Sequence, residues 1–276
     1  MTQRYYYHEH VADYAELKAK GLKSRGEIYG DPNDFEEFSS KPFLEEILPV
    51  LNVSDDARVL ELGCGTGPGA CYLAGRGFWV DGIDLIPDAI DQAKKNADEL
   101  SLDVHFEVMD VCALPAKGES YDLIVDSYCT QGIVEDEDRK RMFGAIKSRL
   151  SERGYFLLTC CVLEPHRVDA NIVIEDRETG KTYLRFDKRD LFDAETEICY
   201  NLWRSRDGFP DAKPEDFDGT ICVNGQWYIH QRRYRTHECL RQELEGHGFD
   251  VLYQGGEAME NAVCVHRGSG VTLKKI

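Results

Sequence analysis

"VLELGCGTGPGACYLAGRGFWVDGIDL", Val59 to Leu85, opens on an apolar run and turns through three glycines at alternate positions, Gly63, Gly65 and Gly67. It closes a second apolar run on an acid, Asp84. A glycine-rich turn between a strand and a helix exposes backbone N–H groups and lets a ligand approach the main chain closely. A dinucleotide turn would read G-x-G-x-x-G, with pyrophosphate on the helix dipole. Here Pro68 stands where the third glycine of that fingerprint belongs, and the pattern is E-x-G-x-G-x-G from Glu61 to Gly67. No P-loop lysine follows, which excludes a Walker site.

Outward from this turn the chain alternates strands and helices. "RVLELGC", "FWVDGID", "DVHFEVMDV", "SYDLIVDSY" and "YFLLTCCVL" read as strands, with helices after the first, second and fourth. Apolar strands without alternation belong to a parallel sheet covered on both faces. Residues 1–50 read as helical: an amphipathic stretch ends near Gly21, and Pro42 sits near a helix start. After the fifth strand the rhythm breaks. Residues 165–235 carry β-branched and aromatic runs with a hairpin-like turn at Thr179–Gly180, and read as an antiparallel insertion. Thr236 then caps a helix, and "DVLYQGG" with "NAVCVHR" forms a final hairpin. The expectation is one α/β domain over residues 1–276. It has a Rossmann-like, seven-stranded, mostly parallel sheet with helices on both faces, a helical lid at 1–50 and a β cap at 165–235.

Bulk properties narrow the function. Mean hydropathy is -0.46, and no apolar run approaches the ~20 residues of a membrane span, so no membrane partner is expected. The N-terminus has no apolar signal region. Ten cysteines occur without a CxxC pair or a Cys/His ligand spacing, the pattern of reduced thiols in a cytoplasmic protein without a metal site. A net charge of -18 repels phosphate backbones and weighs against a nucleic-acid partner.

Four landmarks taken in order resemble the class I S-adenosylmethionine-dependent methyltransferases: "VLELGCGTGPGA", Asp84 ending "VDGID", "VMDVCALP", and "YDLIVDSYCTQGI" followed by "LSERGYFLLTC". The resemblance covers residues 55–160 and 236–267. It implies S-adenosyl-L-methionine as cofactor, with Glu61, Gly63, Gly65 and Gly67 in its turn. It further implies Asp84 and Leu85 at the ribose, Asp110 at the adenine amine, Val111 against the ring, and Asp126 at the end of strand four. A carboxylate suits two ribose hydroxyls, each donating a charge-assisted hydrogen bond.

The acceptor is written more faintly. Methyl transfer is an in-line displacement, and a base is needed only when the nucleophile carries a proton. His166 and His230 are candidate bases because imidazole titrates near neutrality, and Tyr128 follows strand four. "DSYCT" lacks the proline motif of base-amino methyltransferases. Cys160 and Cys161 admit thiol chemistry, but alternation turns at most one of them to the site. In the lid, Tyr7 and Tyr29 are candidates for substrate contact and Arg25 for the methionyl carboxylate. In the insertion, "GQWYIHQRRYRTHE" offers Tyr228 and Arg233 toward a carboxylate-bearing or aromatic substrate. Strict alternation puts Arg233 and Arg235 on one face and Arg232 on the other. These features favour a small-molecule substrate methylated at O, N or S. The alternatives are a protein or RNA substrate and a non-catalytic nucleotide-binding protein.

Overall fold

Pro68, Pro87 and Pro42 each sit in a helix's first turn, where a missing N–H leaves no bond unmade. They punctuate the chain much as the sequence suggests. The computed structural model describes residues 4–204, 211–256 and 259–274. Helices α1 (Tyr5–Lys20), α2 (Arg25–Ile28) and α3 (Lys41–Ile47) precede β1 (Arg58–Leu62). There follow α4 (Pro68–Ala74), β2 (Trp79–Asp84), α5 (Pro87–Glu99), β3 (Val104–Val108), β4 (Tyr121–Ser127), α6 (Asp136–Arg149) and β5 (Leu150–Cys161). Six strands come next: β6 (Val168–Glu175), β7 (Thr182–Phe186), β8 (Asp190–Asp193), β9 (Ile198–Leu202), β10 (Thr220–Val223) and β11 (Gln226–Arg233). Then come α7 (His237–Gly246), β12 (Phe249–Gly255) and β13 (Met259–His266).

Among the described residues the strands form two sheets. The first has seven strands in the order β12-β13-β5-β4-β1-β2-β3. Its β5-β4-β1-β2-β3 run is parallel and β13 is antiparallel to both its neighbours. Alternation along β1 feeds two cores. Val59 packs with α3, α4 and α5, while Leu60 and Leu62 pack with α6 and α7. Strand order reverses between β1 and β4, so a crevice opens at their C-terminal ends.

The second sheet is antiparallel, in the order β10-β11-β9-β8-β7-β6. Residues 205–210 of the expected cap lie outside the described residues. The run "TICVNGQWYIHQRRY" is two strands: Val223 pairs with Gln226 across Asn224–Gly225. Both turn residues have positive φ, 51° and 80°, as a two-residue hairpin with strand-matched twist requires. Tyr200, Tyr228 and Ile229 of this sheet join the α6 core, and Tyr5 and Tyr6 of α1 pack into the same cluster. No helix of the described residues is long and apolar enough to cross a membrane.

Candidate functional site

A cavity of about 560 Å³ opens at the reversal of strand order. Its floor is the glycine turn. Gly63 and Cys64 line it, and Gly63, Gly65 and Gly67 all have positive φ. Glu61 ends β1 buried at 2% exposure and takes the Ala70 N–H at the start of α4. A side chain on Gly69 would meet Glu61 Oε1 at 2.1 Å, so glycine there is what lets the carboxyl reach the helix end. The other oxygen, Oε2, is buried with no protein partner. Burial, with Asp84 and Asp126 nearby, pushes the Glu61 carboxyl up to about 8.

Asp84, at the end of β2, accepts from the Gly65 N–H and the Ile86 N–H, both at 2.9 Å. Each oxygen keeps a lone pair, and burial raises this carboxyl too. Asp110 accepts the Cys112 N–H on Oδ1 (2.8 Å) and the Tyr6 hydroxyl on Oδ2 (2.7 Å). Leu85 and Val111 line the cavity beside them. Asp126 does not line it. That side chain is buried beneath, accepting the N–H groups of Cys129 (2.8 Å) and Thr130 (3.0 Å), and shapes the turn after β4 from below. Burial lifts it to about 6 against those bonds.

The roof is α1. Tyr6, His10 and Tyr14 line the cavity at i, i+4 and i+8, one face of a helix. Arg4 pins its start by pairing with Asp138 of α6 and, at 2.9 Å, with Asp218 ahead of β10. The Tyr5 hydroxyl accepts the Val134 N–H at 2.8 Å. Arg25 and Tyr29 sit on the rim. Arg25 donates to Asp13 Oδ2 at 2.9 and 2.5 Å, and Tyr29 is largely exposed.

The far end is lined by Ser127, Tyr128, Gln131, Cys161, Arg232 and Met259. Tyr128 holds φ at 67°, uncommon for a bulky side chain, and its hydroxyl reaches Met259 Sδ. Arg139 braces the wall from behind. It is 2% exposed, donates to the carbonyls of Thr130 (2.7 Å) and Ile133 (2.6 Å), and grips Glu243 in a two-pronged bridge at 2.5 and 2.7 Å. Of the adjacent cysteines, Cys161 lines the cavity while Cys160 packs into the α6 core.

Several sequence candidates fall elsewhere. His166 lies exposed on the short turn of 165–167. His230 is packed between Tyr5 and Tyr200, with Nδ1 2.8 Å from Glu135 Oε1. The cavity takes His10 instead. Tyr7 packs in the cluster between α1 and α5, and Tyr228 is buried and bonded to Gln226. Arg233 turns away to Asp136 and to the Val134 carbonyl at 3.1 Å. The reason is a β-bulge between His230 and Arg232, which breaks the alternation and sends Arg232 to the cavity. Gly65 and Gly67 shape the turn without lining the cavity.

Comparison with known proteins agrees with this architecture. The sequence model of a methyltransferase-domain family matches residues 59–154. Phosphoethanolamine N-methyltransferase 1 of Arabidopsis thaliana is 26% identical over 205 residues, which is 74% of this chain and 38% of that protein. A ubiquinone biosynthesis O-methyltransferase of Coxiella burnetii is 31% identical over 85 residues, 31% of this chain and 35% of that one. The chain thus spans well under half the length of these relatives. A crystal structure of an S-adenosylmethionine-dependent methyltransferase from Clostridium acetobutylicum superposes with a TM-score of 0.56 at 18% identity. That superposition covers 83% of this chain and 91% of the other, a likeness of fold. Residues 59–154 thus match a methyltransferase domain, and the fold around them is one shared with solved S-adenosylmethionine-dependent methyltransferases.

Proposed function

We propose that this chain transfers a methyl group from S-adenosylmethionine to an O, N or S atom of a small molecule held in the roofed cavity. The observation that carries the reading is one continuous cavity with three carboxyl groups at one end and hydroxyl, amide and guanidinium groups at the other. Its volume falls within the ~300–1,000 Å³ of small-molecule sites. Relatives named for methylating nitrogen and oxygen of small molecules support the same class.

The residues fit the cofactor. Glu61 Oε2, buried without a partner, suits the methionyl ammonium. Asp84 has a lone pair on each oxygen for the ribose hydroxyls, and Asp110 with Val111 suits the adenine edge and face. Tyr6 orients the Asp110 carboxylate, and the Tyr14 hydroxyl closes over Gly65. S-adenosylmethionine supplies an activated methyl on a sulfonium, which leaves positioning and water exclusion to the protein. The α1 roof excludes water, and the wall braced by Arg139 positions the acceptor. Where the acceptor atom carries a proton, His10 is the histidine in place to receive it. The same reading takes residues 1–276 as one domain with 165–235 as its cap, supported by the apolar core shared between α1, α6 and the second sheet.

Calorimetry with S-adenosylhomocysteine, NAD and NADP tests this. Binding of the adenosyl ligand alone is expected. Binding of a dinucleotide in its place would overturn the proposal.

A further inference from the structure

Tyr14 is a buried donor that lacks an acceptor. It stands on the roof helix α1, 7% exposed, and clusters with Leu17 of the same helix and with Ile86 and Ala89 at the start of α5. That packing holds the ring in place while the residue lines the cavity above the glycine turn. A Cβ on Gly65 would lie 2.7 Å from the Tyr14 hydroxyl, so glycine there is what lets the phenol come so close to the main chain. Among the described residues none accepts its proton. Asp84 and then Arg25 act on it through charge alone. Burial first, then the Asp84 charge, holds this phenol well above its ordinary range, so it keeps its proton and stays a donor at neutral pH. A buried donor left unpaired is costly, which points to an acceptor brought by a ligand.

The surroundings select the ligand atom. Asp84 takes the Gly65 and Ile86 N–H groups and keeps lone pairs for hydroxyls that donate, and Glu61 suits an ammonium. The methionyl carboxylate is the anionic group of the cofactor and can only accept. Tyr6, on the same face of α1, spends its own proton on Asp110. Arg25 brings positive charge to the rim but aims Nε and Nη2 at Asp13. Tyr6 and Tyr14 stand eight residues apart, about 12 Å along the helix axis, with Tyr6 over the adenine end and Tyr14 over the glycine turn. The helix thus runs along an extended adenosyl ligand from base to amino acid.

We propose that Tyr14 is a cofactor-binding residue whose hydroxyl donates to the methionyl carboxylate of S-adenosylmethionine. The inference rests on the methyltransferase reading. It gives that carboxylate a donor other than Arg25, the residue expected from the sequence.

The test is calorimetry on the full chain with S-adenosylhomocysteine and with two ligands that lack the carboxylate, decarboxylated S-adenosylhomocysteine and 5′-methylthioadenosine. The two truncated ligands are read by displacement of S-adenosylhomocysteine, so that weak binding is still measured. Tyr14→Phe is expected to weaken S-adenosylhomocysteine by about tenfold or more, the loss of a hydrogen bond to a charged group. Both truncated ligands should stay within about twofold, which also shows that the variant is folded. Tyr6→Phe serves as the contrast, since its hydroxyl acts on Asp110, and should weaken all three ligands by one common factor. An equal fall for all three ligands in Tyr14→Phe, or no fall for any, overturns the proposal. Failure of S-adenosylhomocysteine to bind the unmodified chain overturns the methyltransferase reading instead.

Discussion

Replacing Glu61 with glutamine separates stability from cofactor binding. The folded protein holds this carboxyl at about 8, against 4.5 for an ordinary glutamate. The cause is burial first, then the charges of Asp84 and Asp126. A proton held more tightly in the fold than in the unfolded chain contributes stability that is fully present below pH 4.5 and is lost as pH climbs toward 8. The loss amounts to about 3 kcal/mol by pH 7 and about 5 kcal/mol when complete. Glutamine carries no titrating proton and can still accept the Ala70 N–H. Urea unfolding of the ligand-free proteins from pH 5 to 8 should therefore show Glu61→Gln gaining on the unmodified chain as pH rises. At pH 7 about 0.9 of the Glu61 carboxyls are protonated, and pairing with a ligand ammonium would release that proton. Calorimetry of S-adenosylhomocysteine in phosphate and in Tris, which differ in protonation enthalpy, should count close to one proton released by the unmodified chain and none attributable to residue 61 in the variant. The variant should also bind about 10- to 100-fold more weakly, the loss of one charged hydrogen bond. Parallel stability curves together with equal proton counts would refute the reasoning.

Asp84→Ala removes acceptors for the Gly65 and Ile86 N–H groups. Calorimetry should show S-adenosylhomocysteine affinity weakened by about 1–3 kcal/mol, with a lower unfolding midpoint; unchanged affinity would take Asp84 out of the site. Tyr6→Phe deletes the hydroxyl that donates to Asp110 and should weaken the same ligand by about 1 kcal/mol, roughly fivefold, with the far-ultraviolet spectrum unaltered. Arg139→Ala strands the Thr130 and Ile133 carbonyls and half of the Glu243 pairing, and should destabilise by about 3–5 kcal/mol in urea. Burial works against it, but Arg139 and then Arg235 hold Glu243 down to about 2, so the bridge's contribution is present above the ordinary carboxylate range and fades as pH falls toward that value.

The residues legible in advance are those whose meaning is local. The glycine turn, the acid ending β2, Asp110 and the strand order each follow from a few neighbouring positions. Two further features are equally local. Asn224–Gly225 is a hairpin signal, and Tyr6, His10 and Tyr14 share a helical face. Other features had no local signal. Alternation alone assigns Arg233 to the site, and the bulge that substitutes Arg232 arises from how β11 pairs with β9. His166 and His230 resemble a base by chemistry, yet one faces solvent and the other is packed against Tyr5, Tyr200 and Glu135.

By itself the sequence determined the alternating strands and helices, the mostly parallel sheet and the turn with its three carboxyls. Period, glycine placement and strand-end acids act within one or two elements, where the chain's own geometry dictates the outcome. Tertiary structure alone decided what the carboxyls and the far wall face. Tyr6 meets Asp110, and Arg139 meets Glu243, across 104 residues in each case. Such pairs exist only where α1 packs over the end of β3 and where α6 and α7 pack against each other. The bonds that set the cavity's far wall are therefore a product of packing, with no period in the sequence to announce them.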